Sequence, residues 1–118
     1  MILNTKCTMK DVLMSIKESY LQKGETATEQ DDDWYIYEAD DILTLSTPCC
    51  ISTRPEFDEN DEEIFPEFAV ENNMDYSIMP ELVIDVVINV LTQKKSATDD
   101  ELLKALNYYL DTDDFLKL

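Results

Sequence analysis

Histidine is absent from this 118-residue chain, which removes both the commonest general base and the commonest transition-metal ligand. Glycine occurs once, so no glycine-rich turn can wrap a phosphate. Cysteine is scarce and odd in number. Cys7, Cys49 and Cys50 show no CxxC spacing, and a bridge between the neighbours Cys49 and Cys50 would strain the peptide between them. A disulfide framework is not expected, which favours a reducing cytosol. Positive charge is also short: 9 Lys and Arg stand against 27 Asp and Glu, for a net charge of −18 and a pI near 4.1. Nucleic acid and anionic lipid would repel such a chain, so neither is expected as a direct partner. The longest apolar run, residues 82–91, is broken by Asp85 and Asn89 and is far short of a membrane span. The first ten residues hold no signal-peptide core, so a cytoplasmic location is expected.

Against these absences stands a hydrophobic content of 44%, too rich for a disordered acidic tail and enough for one domain over residues 1–118. The charge is unevenly spread. Residues 1–30 are neutral overall, residues 94–118 carry a net −2, and residues 31–93 carry 17 acids against Arg54 alone, a net −16. The negative field belongs to the middle of the chain, and the ends read as scaffold.

Helical signals bracket that middle. Thr8 and Asp11 resemble a capping box, and Met9, Val12, Leu13, Ile16, Tyr20 and Leu21 follow at helical spacing, predicting a helix over 8–23. Gly24 is placed for a left-handed C-terminal turn, and residues 25–33 read as a polar loop. Pro80 opens a second helix to 93, with Leu82, Val83, Val86, Val87, Val90 and Leu91 inward and Lys94 and Lys95 at its negative end. Thr98 and Glu101 form a capping box for a third, over 98–110, which bears Leu102, Leu103, Ala105, Leu106, Tyr109 and Leu110, with Leu106 expected in the core. Phe115 and Leu116 are expected to pack the tail onto the core. Between these helices, residues 34–37, 42–45, 49–53 and 76–79 read as short strands, with Asp40 and Asp41 turning between the first two. In the first strand, either Trp34 and Ile36 or Tyr35 and Tyr37 should face the core. Residues 56–63 read as an acidic loop, and Pro66 as the first position of a short helix ended by Asn72 and Asn73. The fold class expected is α+β: a small, mostly antiparallel sheet of short strands packed with about three main α-helices.

Candidate chemistry is thin. The cluster Asp31, Asp32 and Asp33 and the run Glu56, Asp58, Glu59, Asp61, Glu62 and Glu63 invite a calcium reading. Glu63, however, occupies the position where an EF-hand loop needs glycine. Acidic pairs suited to glycoside hydrolysis are too numerous for any one to stand out, and no histidine is available to activate a cysteine. No enzyme activity, cofactor or metal is expected, and Cys49 and Cys50 read as small buried strand residues. Two readings remain for the acidic segment: a solvated surface that serves solubility, or a docking surface that steers a cationic protein strongly, with aromatic side chains left exposed as anchors.

The chain resembles the small acidic immunity proteins found with bacterial polymorphic toxins, including those of contact-dependent growth inhibition. The likeness lies in Trp34 with its following acidic turn, Thr47-Pro48-Cys49, Pro66-Glu67-Phe68-Ala69, Asn89 and Gln93, Ala105, Asn107-Tyr108-Tyr109 and Asp114-Phe115. It covers most of residues 8–116, while Cys50 and the run 56–63 have no counterpart in it. The resemblance implies a cytosolic antidote that binds and blocks one toxin domain, often a nuclease; the domain is expected to be a monomer or weak dimer, and such a nuclease to carry a basic substrate cleft. The resemblance carries over no interface residue; contacts are expected where the charge is concentrated, from Asp31, Asp32 and Asp33, from Glu38, Asp40 and Asp41, and from the acidic run at 56–63. The alternatives are an acidic nucleic-acid mimic and a small regulatory adaptor domain that binds a basic protein.

Overall fold

The capping box foreseen at Thr8 forms in full. Thr8 Oγ1 accepts from the Asp11 N–H at 3.3 Å, and the Asp11 carboxylate accepts from the Thr8 N–H at 2.9 Å. It starts the first helix, α1 (Met9–Lys23), in a computed structural model that describes residues 3–24 and 34–118. Directly before it lies a strand that the sequence pattern did not reveal, β1 (Thr5–Thr8). Then come β2 (Trp34–Glu38), β3 (Pro48–Thr53), β4 (Glu56–Phe57), β5 (Glu63–Ile64), α2 (Glu67–Glu71), β6 (Tyr76–Ile78), α3 (Pro80–Gln93) and α4 (Asp99–Thr112). The class is α+β.

Four strands form one sheet in the order β1-β3-β2-β6, with every neighbour antiparallel. Ile36 stands opposite Ile51 on one side and Ile78 on the other, so these three side chains share a face. The long helices α1, α3 and α4 cover that face, burying Val12, Leu13, Val83, Val87, Leu102 and Leu106 against it. Trp34 and Cys49 join the same core.

The other face is buried too. Tyr37 lies opposite Cys50, and the two are fully buried with Ala69 of α2, with Phe65 and Phe68 packed beside them. The Tyr37 ring meets Phe65 with centroids 5.0 Å apart, and its hydroxyl donates to the Thr53 carbonyl. The expected choice between the two sets of β2 side chains is therefore overturned. Trp34 and Ile36 serve the helical core while Tyr37, with half-buried Tyr35, serves a second, smaller one.

Several local expectations are corrected. Residues 42–45 form no strand; they belong to a loop that closes the start of α1. The run 56–63 is a β-hairpin of β4 and β5, not an open loop. Pro66 caps α2 rather than opening it. Gly24 has φ 63° but ψ −146°, a backbone open to glycine that lies outside the left-handed helical region. Leu21 and Leu110 are exposed. The other elements, including the Thr98–Glu101 capping box, stand where expected, and Lys94 pairs with Glu101 at 3.0 Å. The tail returns through the Tyr109–Phe115 ring contact at 5.1 Å and through Gln93, which bonds the backbone of Leu116 and Leu118. No helix of the described residues is long and apolar enough to cross a membrane.

The helical stripe yields a direct test. Leu106 is fully buried and Leu110, one turn on, is not. In urea denaturation, Leu106→Ala is expected to cost about 2–5 kcal/mol. Leu110→Ala should stay within about 0.5 kcal/mol of wild type.

Candidate interaction surface

The acidic residues expected to act together separate into distinct places. Glu38 ends β2 on the helical face and is buried, with its Oε2 accepting from the Asp40 N–H at 2.7 Å. Burial first pushes its carboxyl above the usual range. Asp40, Asp41 and Asp75 push the same way by repulsion, and the Asp40 N–H opposes them. Asp40 is a scaffold residue: its carboxylate accepts from Thr47 Oγ1 at 2.8 Å, and Thr47 Oγ1 accepts from the Thr44 N–H at 2.8 Å. Asp41 is the outward member of the trio. It accepts from the Tyr76 hydroxyl at 2.8 Å, a bond that raises the tyrosine's pKa because the carboxylate favours the protonated phenol.

The C-terminal end of the loop carrying these groups is tied to the start of α1. The carbonyls of Thr47 and Leu45 accept from the N–H groups of Met9 and Lys10, each at 3.0 Å, taking two donors that the first turn of a helix leaves open. Asn107 of α4 clamps the middle. Its amide donates to the Leu43 carbonyl at 2.9 Å and accepts from the Leu43 N–H at 3.0 Å. A side-chain amide thus supplies the pairing that a neighbouring strand would have given to Leu43.

The hairpin carries the second acidic group, on the opposite side of the sheet. Glu63 accepts from Ser77 Oγ at 3.0 Å, and Ser77 stands opposite Tyr37, on the face turned away from the long helices. Asp58 holds the turn: its Oδ1 accepts from the N–H groups of Asn60 at 2.8 Å and Glu62 at 3.0 Å. Asp61 takes a left-handed φ of 60°, which a short polar side chain tolerates. Glu56, Glu59, Asp61 and Glu62 face solvent. The residues Asp31, Asp32 and Asp33 lie outside the described residues.

Sequence reasoning missed the apolar ground beside Asp41. A groove of about 520 Å³ runs between the 40–47 loop and α4, walled by Asp41, Ile42, Lys104, Asn107, Tyr108, Leu110 and Asp111. A smaller one of about 230 Å³ adjoins it through Asp41 and Leu110 and includes Tyr76. The signal available in the sequence was the doublet Tyr108-Tyr109, of which one must face outward on a helix; Tyr108 does.

The cysteines are unbridged. Burial holds the thiols of Cys49 and Cys7 above their usual range, that of Cys7 up to about 11, so neither is activated as a nucleophile. Among the described residues no three His, Cys, Asp or Glu side chains converge as a metal site would require.

Over residues 6–118 the chain matches the model of DUF7716, a domain of unknown function, and it belongs to that family. No curated protein and no solved structure matches the chain.

The buried carboxyl of Glu38 makes a pH test possible. Folding raises its pKa, so between the unfolded and folded values the native state holds the extra proton. Its contribution to stability therefore falls as pH rises through that window and stays low above it. Glu38→Gln keeps an acceptor for the Asp40 N–H and cannot ionise. The variant is expected to melt above wild type at pH 7, with the gap closing as pH falls towards about 4.3, the ordinary glutamate value. A variant that melts below wild type at pH 7 would show ionised Glu38 to be a net stabiliser.

Proposed function

We propose that this member of the DUF7716 family is an immunity-type binding protein that neutralises a cognate basic toxin domain, a nuclease, by occluding its substrate cleft. The observation that carries the reading is the concentration of charge, −16 over residues 31–93, with carboxylates displayed on turns that hydrogen bonds hold in place. A nuclease cleft binds phosphates with Arg and Lys, and fixed carboxylates can meet the same cations. Placing them in advance lowers the ordering cost of the complex. The antidote acts where such a toxin would act, in the cytoplasm, and the unbridged cysteines accord with that compartment. A regular nucleic-acid mimic is less well supported, because Asp41 and Glu63 are held on opposite sides of the sheet.

The test is binding of the purified chain to the domain encoded by the gene directly upstream, together with protection of cells that express that domain. Association should slow as the Debye length falls from about 10 Å at 0.1 M salt to about 3 Å at 1 M, while dissociation changes less. The triple variant Glu59→Gln, Asp61→Asn and Glu62→Gln spares Asp58, which holds the turn, and should slow association at low salt. A triple variant that associates as fast as wild type would reduce the hairpin to a solubility device. A wild-type chain that neither binds nor protects overturns the reading.

A further inference from the structure

Two apolar side chains that the structure leaves exposed meet in one spot. Ile42 was expected in a strand and is 74% exposed; Leu110 continues the apolar stripe of α4 and is 43% exposed. Both line the groove between the 40–47 loop and α4, with Tyr108 as a third apolar wall. Tyr76 extends this ground into the adjoining groove. Apolar residues exposed singly are ordinary, whereas several that line one concavity rimmed by charge mark a binding surface.

The walls are held in place before any partner arrives. Asn107 fixes the backbone of Leu43, next to Ile42, onto α4, and the Tyr76 hydroxyl fixes the Asp41 carboxylate. Conflicts between local pattern and final structure are expected at functional sites, where a side chain answers to a partner rather than to the chain's own core.

We infer that this groove is the anchor site of the complex: it takes one aliphatic or aromatic side chain of the cationic partner, flanked by an Arg or Lys that pairs with Asp41 or Asp111. This deepens the proposed function and rests on it. Charge complementarity selects the occupant, since Asp41 and Asp111 on the groove walls outnumber Lys104. A purely acidic surface would supply speed of encounter with little hold. A desolvated apolar anchor at its centre supplies the slow release that an antidote needs. The acidic hairpin, on the other side of the sheet, then acts at a distance through steering.

The experiment measures association and dissociation rates of the purified chain with the domain encoded directly upstream. Ile42→Ser with Leu110→Ser should leave the melting temperature within a few degrees of wild type, because both positions are exposed. It should raise the dissociation rate about 30-fold or more, the mark of an interface hot spot, with association nearly unchanged. Phe57→Ser on β4 removes comparable exposed apolar surface (63% exposed) and should leave dissociation within about threefold of wild type. Should the double variant fail to fold, Ile42→Lys alone gives the same readout, with a positive charge now set against the partner. If wild type binds and the folded Ile42 variants dissociate no faster, the anchor assignment is overturned and the binding function stands. If wild type forms no complex with that domain, the binding function is overturned and the anchor falls with it.

Discussion

Thr47 is the junction on which the rest of the structure depends. Its carbonyl closes the first turn of α1, its hydroxyl bridges Asp40 and the Thr44 backbone, and the next residue begins the central strand β3. One buried polar residue therefore joins a helix start, a sheet strand and the acidic loop. A buried polar group is tolerated only when its bonds are made; here the hydroxyl makes its bonds within the loop, to Asp40 and Thr44, while the carbonyl reaches the distant start of α1. With Thr47 held, Asp40 is committed to scaffold, and Asp41 is turned outward to the Tyr76 hydroxyl.

A second constraint is the charge itself. A domain of this size with a net charge of −18 works against its own repulsion, and its carboxylates must be kept out of the interior. The fold does this by burying both faces of the sheet under apolar cover, the helices on one side and α2 with Phe65 and Phe68 on the other. Acids are left to the turns, the hairpin and the helix surfaces. Among the described residues Glu38 is the exception, buried at the end of β2 and held above the usual carboxylate range. The same distribution that relieves repulsion displays the carboxylates on the proposed binding surface.

The parts of the fold legible in the sequence are those controlled by neighbours along the chain. The boxes Thr8–Asp11 and Thr98–Glu101 satisfy donors within three residues, Pro80 opens α3, and aromatic and β-branched residues mark β2. What escaped was controlled by partners far along the chain. β1 has four residues and exists because Cys7 and Lys6 meet Cys49 and Cys50 across the sheet. Residues 42–45 have strand-like composition, yet Asn107, more than sixty positions away, takes both backbone bonds of Leu43, while Thr47 takes those of Thr44 and the Lys10 N–H bonds the Leu45 carbonyl. Leu110 continues the apolar stripe of α4, but the core ends at Leu106.

The sequence by itself determined the sign and placement of the charge, the lack of histidine and the positions of the long helices. These follow from residue type and short-range periodicity, which need no knowledge of what lies across the core. Only the tertiary structure decided which acids work together. Glu38, Asp40 and Asp41 gather beside β6 on the helical side, while Glu63 is carried to the other side by the hairpin. It also decided that Ile42, Tyr108 and Leu110 share one groove. The reason is physical: a side chain's surroundings are set by packing between elements, and nothing in a residue's own neighbourhood records which distant surface will cover it or leave it bare.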